Sequence, residues 1–301
     1  MKKTILLTGV TGFLGSVLLK ELLSHGYSVV GVKRSTSNLY RINDITSDPS
    51  LILFDIDISD PSEIFNNINI DAIIHTATEY GRGDQPVYKI LEANLILPIR
   101  LAELGIRNGT QLFINSDSYF NKKNHSYAHL LNYSLSKKSL LNWLANMANQ
   151  INVINAVIEH MYGPFDASTK FVEHAIQRIA IQKIPYIPLT YGHQRRDFIH
   201  VSDVAGAFLK LIDYGFSGKI NYKSFEIGTG KSTQIVDFVT LIKELSNSTT
   251  LLGFGDMPYR SDEIMESCAI NAELQQIGWD PKINIQDGVG SIINEYQKNS
   301  R

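Results

Sequence analysis

Tyr133 and Lys137 stand four residues apart in Asn132-Tyr133-Ser134-Leu135-Ser136-Lys137, so on a helix they project from one face. A free phenol titrates at about 10, too high for efficient acid–base work near neutrality. An ammonium one turn away favours the phenolate and brings the group into use. Ser116 adds a third member. It follows the apolar run Leu112-Phe113-Ile114-Asn115, where a strand would hold its hydroxyl at a tip. A serine that bonds a carbonyl oxygen, a tyrosine that moves a proton and a lysine that supports it are the proton half of a carbonyl reduction or its reverse. Each has a bland alternative: a chance pair in a chain with 14 tyrosines, and a turn serine. The hydride half needs a cofactor, because no side chain supplies a hydride.

The cofactor signal lies at Thr8-Gly9-Val10-Thr11-Gly12-Phe13-Leu14-Gly15. Before it, Thr4-Ile5-Leu6-Leu7 is an apolar run suited to a buried parallel strand. After it, Val17, Leu18, Leu22 and Leu23 share one face of a helix that stops near His25-Gly26. Glycines in a strand-to-helix turn let the backbone approach a pyrophosphate, whose charge meets the N–H groups of the helix N-terminus. The turn therefore predicts a dinucleotide site built on Gly9, Thr11, Gly12, Phe13, Leu14 and Gly15.

The remaining strands follow in order. Tyr27–Val32 is the second, and its tip reads Lys33-Arg34 with no carboxylate until Asp44. A basic tip accommodates a 2′-phosphate, whereas an acid bonds a free 2′-hydroxyl, so NADP(H) is expected over NAD(H). A solvated basic pair is the alternative. Leu51–Phe54 is the third strand; Asp57-Ile58 beyond it faces the adenine edge, with a helix cap at Ser59 or Asp60 as a parallel reading. Asp71–Thr78 is the fourth, and its small Thr76 and Ala77 leave room for a flat ligand. His75 reads as a packed histidine, and Asn94, amid apolar neighbours, as a core polar group that needs a partner. Gln111–Asn115 and Asn152–Ile158 are the fifth and sixth.

Composition narrows the class. The chain has 301 residues, is 44% hydrophobic and 19% charged, and carries a net charge of −2. That fits a globular α/β protein and gives no reason to expect nucleic acid or a membrane surface as partner. The single Cys268 fits a reducing compartment. Lys2-Lys3 before Thr4–Leu7 imitates a leader, but the apolar stretch is too short and Gly9 and Gly12 interrupt it. A cytoplasmic setting is expected, and no metal.

The fold expected is a Rossmann-type doubly wound parallel sheet with a smaller, interleaved α/β C-terminal substrate domain. Residues 1–160 form the dinucleotide domain, with a returning segment near 195–225, and 161–301 mainly the substrate domain. The ligand cleft is expected between the two. Beyond 160 the alternation loosens. Lys170–Ile181 predicts a helix, Ile184–Leu189 an edge strand whose prolines could not serve a central one, and Arg195–Val204 an extended segment with a helix start. Phe225–Gly230 reads as a strand and turn, and the chain ends in a helix.

With these residues in place, the chain resembles an extended short-chain dehydrogenase/reductase of the nucleotide-sugar epimerase/dehydratase type. The likeness spans nearly the full length, through the TGxxGxxG turn, Tyr133/Lys137, Tyr162-Gly163-Pro164, Arg196-Asp197-Phe198, Gly228-Thr229-Gly230 and Gly278-Trp279. It implies that Lys137 also contacts the nicotinamide ribose. It further implies that Arg196 and Arg260 contact a substrate diphosphate, a task suited to the planar guanidinium, with a structural ion pair as the alternative. His160 stands where many members carry asparagine. Tyr80, Asp117, His160, Arg196 and Arg260 make up the expected substrate set.

Related 4,6-dehydratases carry Thr-Asp-Glu where this chain has Ser116-Asp117-Ser118, so the base for water elimination is missing. The stretches around 115–118, 158–164 and 195–198 resemble most the CDP-abequose and CDP-paratose synthase group. Those enzymes reduce the C4 ketone of a CDP-linked 3,6-dideoxy-4-keto sugar with NADPH, for surface polysaccharide. The implied function is such a reduction; the alternative is an NAD-retaining nucleotide-sugar 4-epimerase. The resemblance also implies a homodimer formed through helices near 94–104 and 133–148.

Overall fold

The computed structural model describes residues 2–83, 85–122 and 130–299; most of the loop rich in Asn, Lys, His and Tyr before Tyr133 lies outside them. Strand β1 (Thr4–Thr8) leads through the glycine turn into α1 (Phe13–Ser24) and β2 (Ser28–Lys33). Strand β3 (Leu51–Asp55), α2 (Ser62–Asn67) and β4 (Ala72–His75) follow. A continuous helical stretch comprises α3 (Val87–Leu91), a π-helical turn (Glu92–Ile96) and α4 (Leu97–Arg107). Strand β5 (Leu112–Ser118), α5 (Leu131–Met147) and β6 (Asn152–Ile158) complete the alternation.

The elements after β6 include mostly shorter strands. They are β7 (His160–Tyr162), α6 (Phe171–Ala175) with a π-helical turn (Ile176–Ile181), β8 (Tyr186–Leu189), β9 (Arg195–Arg196) and β10 (Phe198–His200). Helix α7 (Val201–Phe216), β11 (Tyr222–Ile227), β12 (Thr233–Gln234) and α8 (Ile235–Leu245) come next. Strand β13 (Leu251–Phe254), α9 (Ala272–Gln276) and α10 (Ile285–Asn299) end the chain.

Two compact units divide it. One comprises Met1–Val157, Ala205–Phe225 and Ile277–Trp279; the other comprises Ile158–Val204, Glu226–Gln276 and Asp280–Arg301. The seven-stranded sheet has the order β11-β6-β5-β4-β1-β2-β3. Its ladders from β3 through β2, β1 and β4 to β5 are parallel. This is the doubly wound order, which reverses between β1 and β4, where a dinucleotide crevice opens. Ile5, Leu6 and Leu7 are fully buried because helices cover both faces of a parallel sheet. Leu6, Val30, Ile73 and Phe113 share a core with Leu101, Leu140 and Leu144 of α4 and α5.

The second unit is held by small ladders. Strands β7 and β10 pair in parallel, β9 and β12 antiparallel, and β8 and β13 in parallel. Pro188 sits in the two-stranded β8 ladder opposite Gly253, the edge setting a proline tolerates. Phe198 stacks on Phe238 with centroids 4.1 Å apart, beside Tyr162, Val239 and Ile292.

Candidate active site

The glycine turn is tight before any ligand is considered. Gly9 has φ +67°, and a Cβ there would lie 2.7 Å from the Ala77 nitrogen. A Cβ on Gly15 would lie 2.0 Å from the Gly9 carbonyl oxygen. The Gly12 N–H closes the turn by donating to that same oxygen at 2.8 Å. Helix α1 then starts with Gly12 at its N-cap, with no side-chain cap and no acid in its first turn. No acid of its own first turn offsets its positive end, which fits the pyrophosphate of a dinucleotide. Thr11, Phe13 and Leu14 belong to this same turn and helix start.

Across the strand-order reversal, Thr8 Oγ1 accepts the N–H groups of Thr76 and Ala77, both at 3.2 Å, while Thr76 Oγ1 donates to the Thr8 carbonyl at 2.8 Å. With both lone pairs engaged, the Thr8 hydroxyl donates to His75 Nδ1, 2.9 Å away. That puts the ring proton on Nε2, a buried atom with no hydrogen-bond partner among the described residues. His75 is fully buried, and burial, then Lys137, push its pKa well below the usual value. It is a neutral, packed histidine, as read from sequence.

At the β2 tip, Lys33 Nζ donates to Asp55 Oδ2 at 2.6 Å, while the Arg34 side chain is exposed. The sequence places no carboxylate near this tip, yet the parallel register sets Asp55 directly beside Lys33. Asp57 Oδ2 accepts the Ser35 N–H at 2.9 Å, and Ile58 is 77% exposed, so an adenine could lie against it. Asp60 caps α2: its carboxylate accepts the Ser62 N–H at 2.9 Å and the Ser62 hydroxyl at 2.7 Å. Arg41 escaped the sequence reading. Its guanidinium donates to the Thr11 carbonyl at 3.4 Å, which brings the segment after β2 back over the glycine turn.

Ser116, Asp117, Tyr133 and Lys137 are all buried, and the structure brings them together where β5 meets α5. Lys137 Nζ donates to the Ser116 carbonyl at 2.8 Å. Burial lowers Lys137 to about 8, against the opposing pull of Asp117. The Tyr133 ring stacks on Tyr80 with centroids 5.0 Å apart and meets the edge of Phe120. Burial, then Tyr80 and Asp117, raise the phenol well above its ordinary value, and a hydrogen bond from Ser118 opposes them. In the protein alone the phenol is thus pushed up, not down as the lysine by itself would have it.

Two amides hold Asp117: Asn155 donates at 3.1 Å and Asn121 at 2.8 Å, while Asn115 donates to Asn155 at 2.8 Å. The signal for Asn155 was available as an amide in the middle of an apolar strand. Asn94, within the π-helical turn, finds its partners outside it. It accepts from the Glu79 N–H and donates to the Glu79 carbonyl, both at 2.8 Å, and donates to Ser136 at 3.0 Å.

In the second unit, Arg196 pairs with Glu263 at 2.5 Å and donates to the Arg195 carbonyl at 2.8 Å. The Glu263 N–H donates to the Arg260 carbonyl at 3.2 Å, so the Arg260–Glu263 turn delivers the carboxylate to Arg196. His160 packs edge-on against Phe198, and burial, then Arg196 and Lys170, lower it to about 3. The two sequence motifs of this unit meet at Asp197. Fully buried, its carboxylate accepts the N–H groups of Thr229, Gly230 and Ala269 and the Thr229 hydroxyl. Arg196-Asp197-Phe198 and Gly228-Thr229-Gly230 are therefore two halves of one structural clamp.

Residues 5–228 match the model of the NAD dependent epimerase/dehydratase family. The chain is 33% identical to CDP-abequose synthase of Salmonella muenchen, with 98% of each chain covered. It is 24% identical to a putative UDP-glucose 4-epimerase of Methanocaldococcus jannaschii over 99% of each. Among solved structures, UDP-glucose 4-epimerase of Thermotoga maritima with UDP-glucose shares the fold. That likeness has a TM-score of 0.83 at 21% identity and covers 99% of this chain and 100% of that one.

Proposed function

Because the chain belongs to the NAD dependent epimerase/dehydratase family, a family of nucleotide-sugar enzymes, we propose that it reduces the C4 ketone of a CDP-linked 4-keto-6-deoxy or 3,6-dideoxy sugar with NADPH. The product would feed a surface polysaccharide such as O-antigen. The observation that carries this reading is the buried Ser116, Tyr133 and Lys137 set beside a β5 tip with serine, not glutamate, at 118. That set can move a proton onto a ketone oxygen and has no second base for removing one from carbon. The relation to CDP-abequose synthase supports the choice of substrate class.

When bound, NADPH supplies the hydride that reaches C4. Gly9, Gly12 and the first turn of α1 would hold its pyrophosphate, Lys33 and Arg34 its 2′-phosphate, Asp57 and Ile58 its adenine, and Thr76 and Ala77 the crevice floor. Ser116 bonds the ketone oxygen and Tyr133 donates its proton to it. A phenol held above its ordinary pKa keeps that proton until charge develops on the oxygen. Lys137 steadies the β5 tip through the Ser116 carbonyl and serves the nicotinamide ribose. Tyr80 and Asp117 border the sugar, while His160, Arg196 and Arg260 serve the diphosphate, Arg196 sharing its fork with Glu263. The setting proposed is cytoplasmic, and the assembly a homodimer.

A second reading, the NAD-retaining 4-epimerase, draws on the Lys33–Asp55 pair, which offsets one positive charge at the tip. Loss of nicotinamide absorbance with NADPH and a panel of 4-keto nucleotide sugars separates the two. Stoichiometric oxidation with one member establishes the reductase and names the nucleotide. Interconversion of two nucleotide sugars by protein carrying bound NAD, with no NADPH loss, overturns it.

A further inference from the structure

The β2 tip reads as basic in sequence, but its lysine is paired with a carboxylate in three dimensions. Lys33 and Asp55 form their ion pair with side chains only 19% and 16% exposed. The same carboxylate accepts the Ser35 hydroxyl, 3.0 Å from each oxygen, and the Asp57 N–H at 3.1 Å. Lys33, Ser35, Asp55 and Asp57 thus form one bonded cluster, and the Arg34 side chain stays exposed beside it. Strand register puts the cluster beside the crevice: Val32 lies opposite Thr8, the last residue before the glycine turn, and Lys33 opposite Asp55. The adenosine ribose of a dinucleotide sits at this corner of a doubly wound sheet.

Two groups that could bind a 2′-phosphate, the Lys33 ammonium and the Ser35 hydroxyl, therefore already serve an anion. A phosphate must compete with Asp55 for both, and it meets Asp55's charge as well. A free 2′-hydroxyl meets the opposite situation, an acceptor carboxylate close at hand, supplied from β3 instead of the usual β2. We propose that Asp55 is a specificity-determining residue of the cofactor crevice. By holding Lys33 and Ser35 it limits the preference for a 2′-phosphorylated adenosine, which then rests chiefly on Arg34. The proposal rests on the NADP(H) reading of this crevice.

Calorimetric titration with 2′,5′-ADP and 5′-AMP tests it without turnover. Asp55→Asn keeps an oxygen acceptor for the Asp57 N–H and removes the charge. The expected result is about fivefold tighter 2′,5′-ADP binding, the scale of one partly exposed ion pair, with 5′-AMP unchanged or weaker. Adding Lys33→Met should erase the gain. Lys33→Met alone should cost 2′,5′-ADP less than it does in the Asp55→Asn background, and this holds as a test even where Asp55→Asn fails to fold, since a loss of about tenfold from Lys33→Met alone overturns the proposal. Equal changes in both probes on Asp55→Asn, or a gain that survives without Lys33, also overturn it. The wild-type ratio of the two affinities reports separately on the NADP(H) reading: no preference for 2′,5′-ADP overturns that reading, while the change on Asp55→Asn still reports on Asp55.

Discussion

Tyr133 lies where burial, Tyr80 and Asp117 all favour its protonated form, the form a ketone reduction consumes. Tyr133→Phe keeps the ring on Tyr80 and removes the hydroxyl that carries the proton. Turnover should fall by about 10³, within the span usual for a lost general acid, while cofactor affinity measured by titration stays as it was. Retained turnover would take Tyr133 out of proton transfer. Asp117 acts on the same group from outside the transfer. It raises Tyr133 and Lys137 alike, so it keeps protons on both. Lys137 sits at about 8, and the site needs it charged. The rate should therefore decline as pH rises through that region. Asp117→Asn lowers Lys137 further and removes part of what holds Tyr133 up, so the decline in kcat/KM should begin at lower pH. A profile that stays in place, or moves to higher pH, contradicts this role for Asp117.

At the scale of elements, the glycine turn shows why some parts of the site were legible and others were not. Its spacing is local, and its flanking strand and helix announce themselves by period. The structure adds a cause that the ligand argument lacked: Gly15 is required by the Gly9 carbonyl, 2.0 Å from where a Cβ would stand. Gly15→Ala must push α1 away from the turn. It should cost about 2–4 kcal/mol of stability, as overpacked sites do, and weaken dinucleotide binding together with the melting temperature. A variant of unchanged stability would show that the turn can yield.

Asp55 was not legible, because a parallel register pairs it with a lysine 22 positions earlier. The amide chain from Asn115 through Asn155 to Asp117 crosses two strands for the same reason. Strands of two or three residues, such as β7, β9 and β12, are too short to show a period at all. Arg196 was legible as a motif residue, but its partner Glu263 came from 67 positions away, which no local spacing reveals.

For the whole molecule, the telling feature is a helix with two apolar faces. One face of α5 buries Tyr133, Lys137, Leu140 and Leu144. Leu131, Leu135 and Trp143 lie on another, within an arc of about 120° at 100° per residue. Leu135 and Trp143 are each 53% exposed. The helical stretch against which α5 packs exposes Tyr88, Leu91 and Ile96 as well. Isolated exposed apolar residues need no explanation, but several on mutually packed helices call for a cover. A second copy of the chain, meeting helix to helix about a two-fold axis, would present the same residues and satisfy both surfaces at once, the homodimer proposed above. Light scattering should then give twice the 33.8 kDa chain mass. Replacing Leu135 and Trp143 together by glutamate sets like charges against each other across the axis and should yield monomers. Because both residues face away from the buried side of α5, the variant should still bind cofactor. A wild-type chain that runs as a monomer at all concentrations would leave this face without its proposed partner.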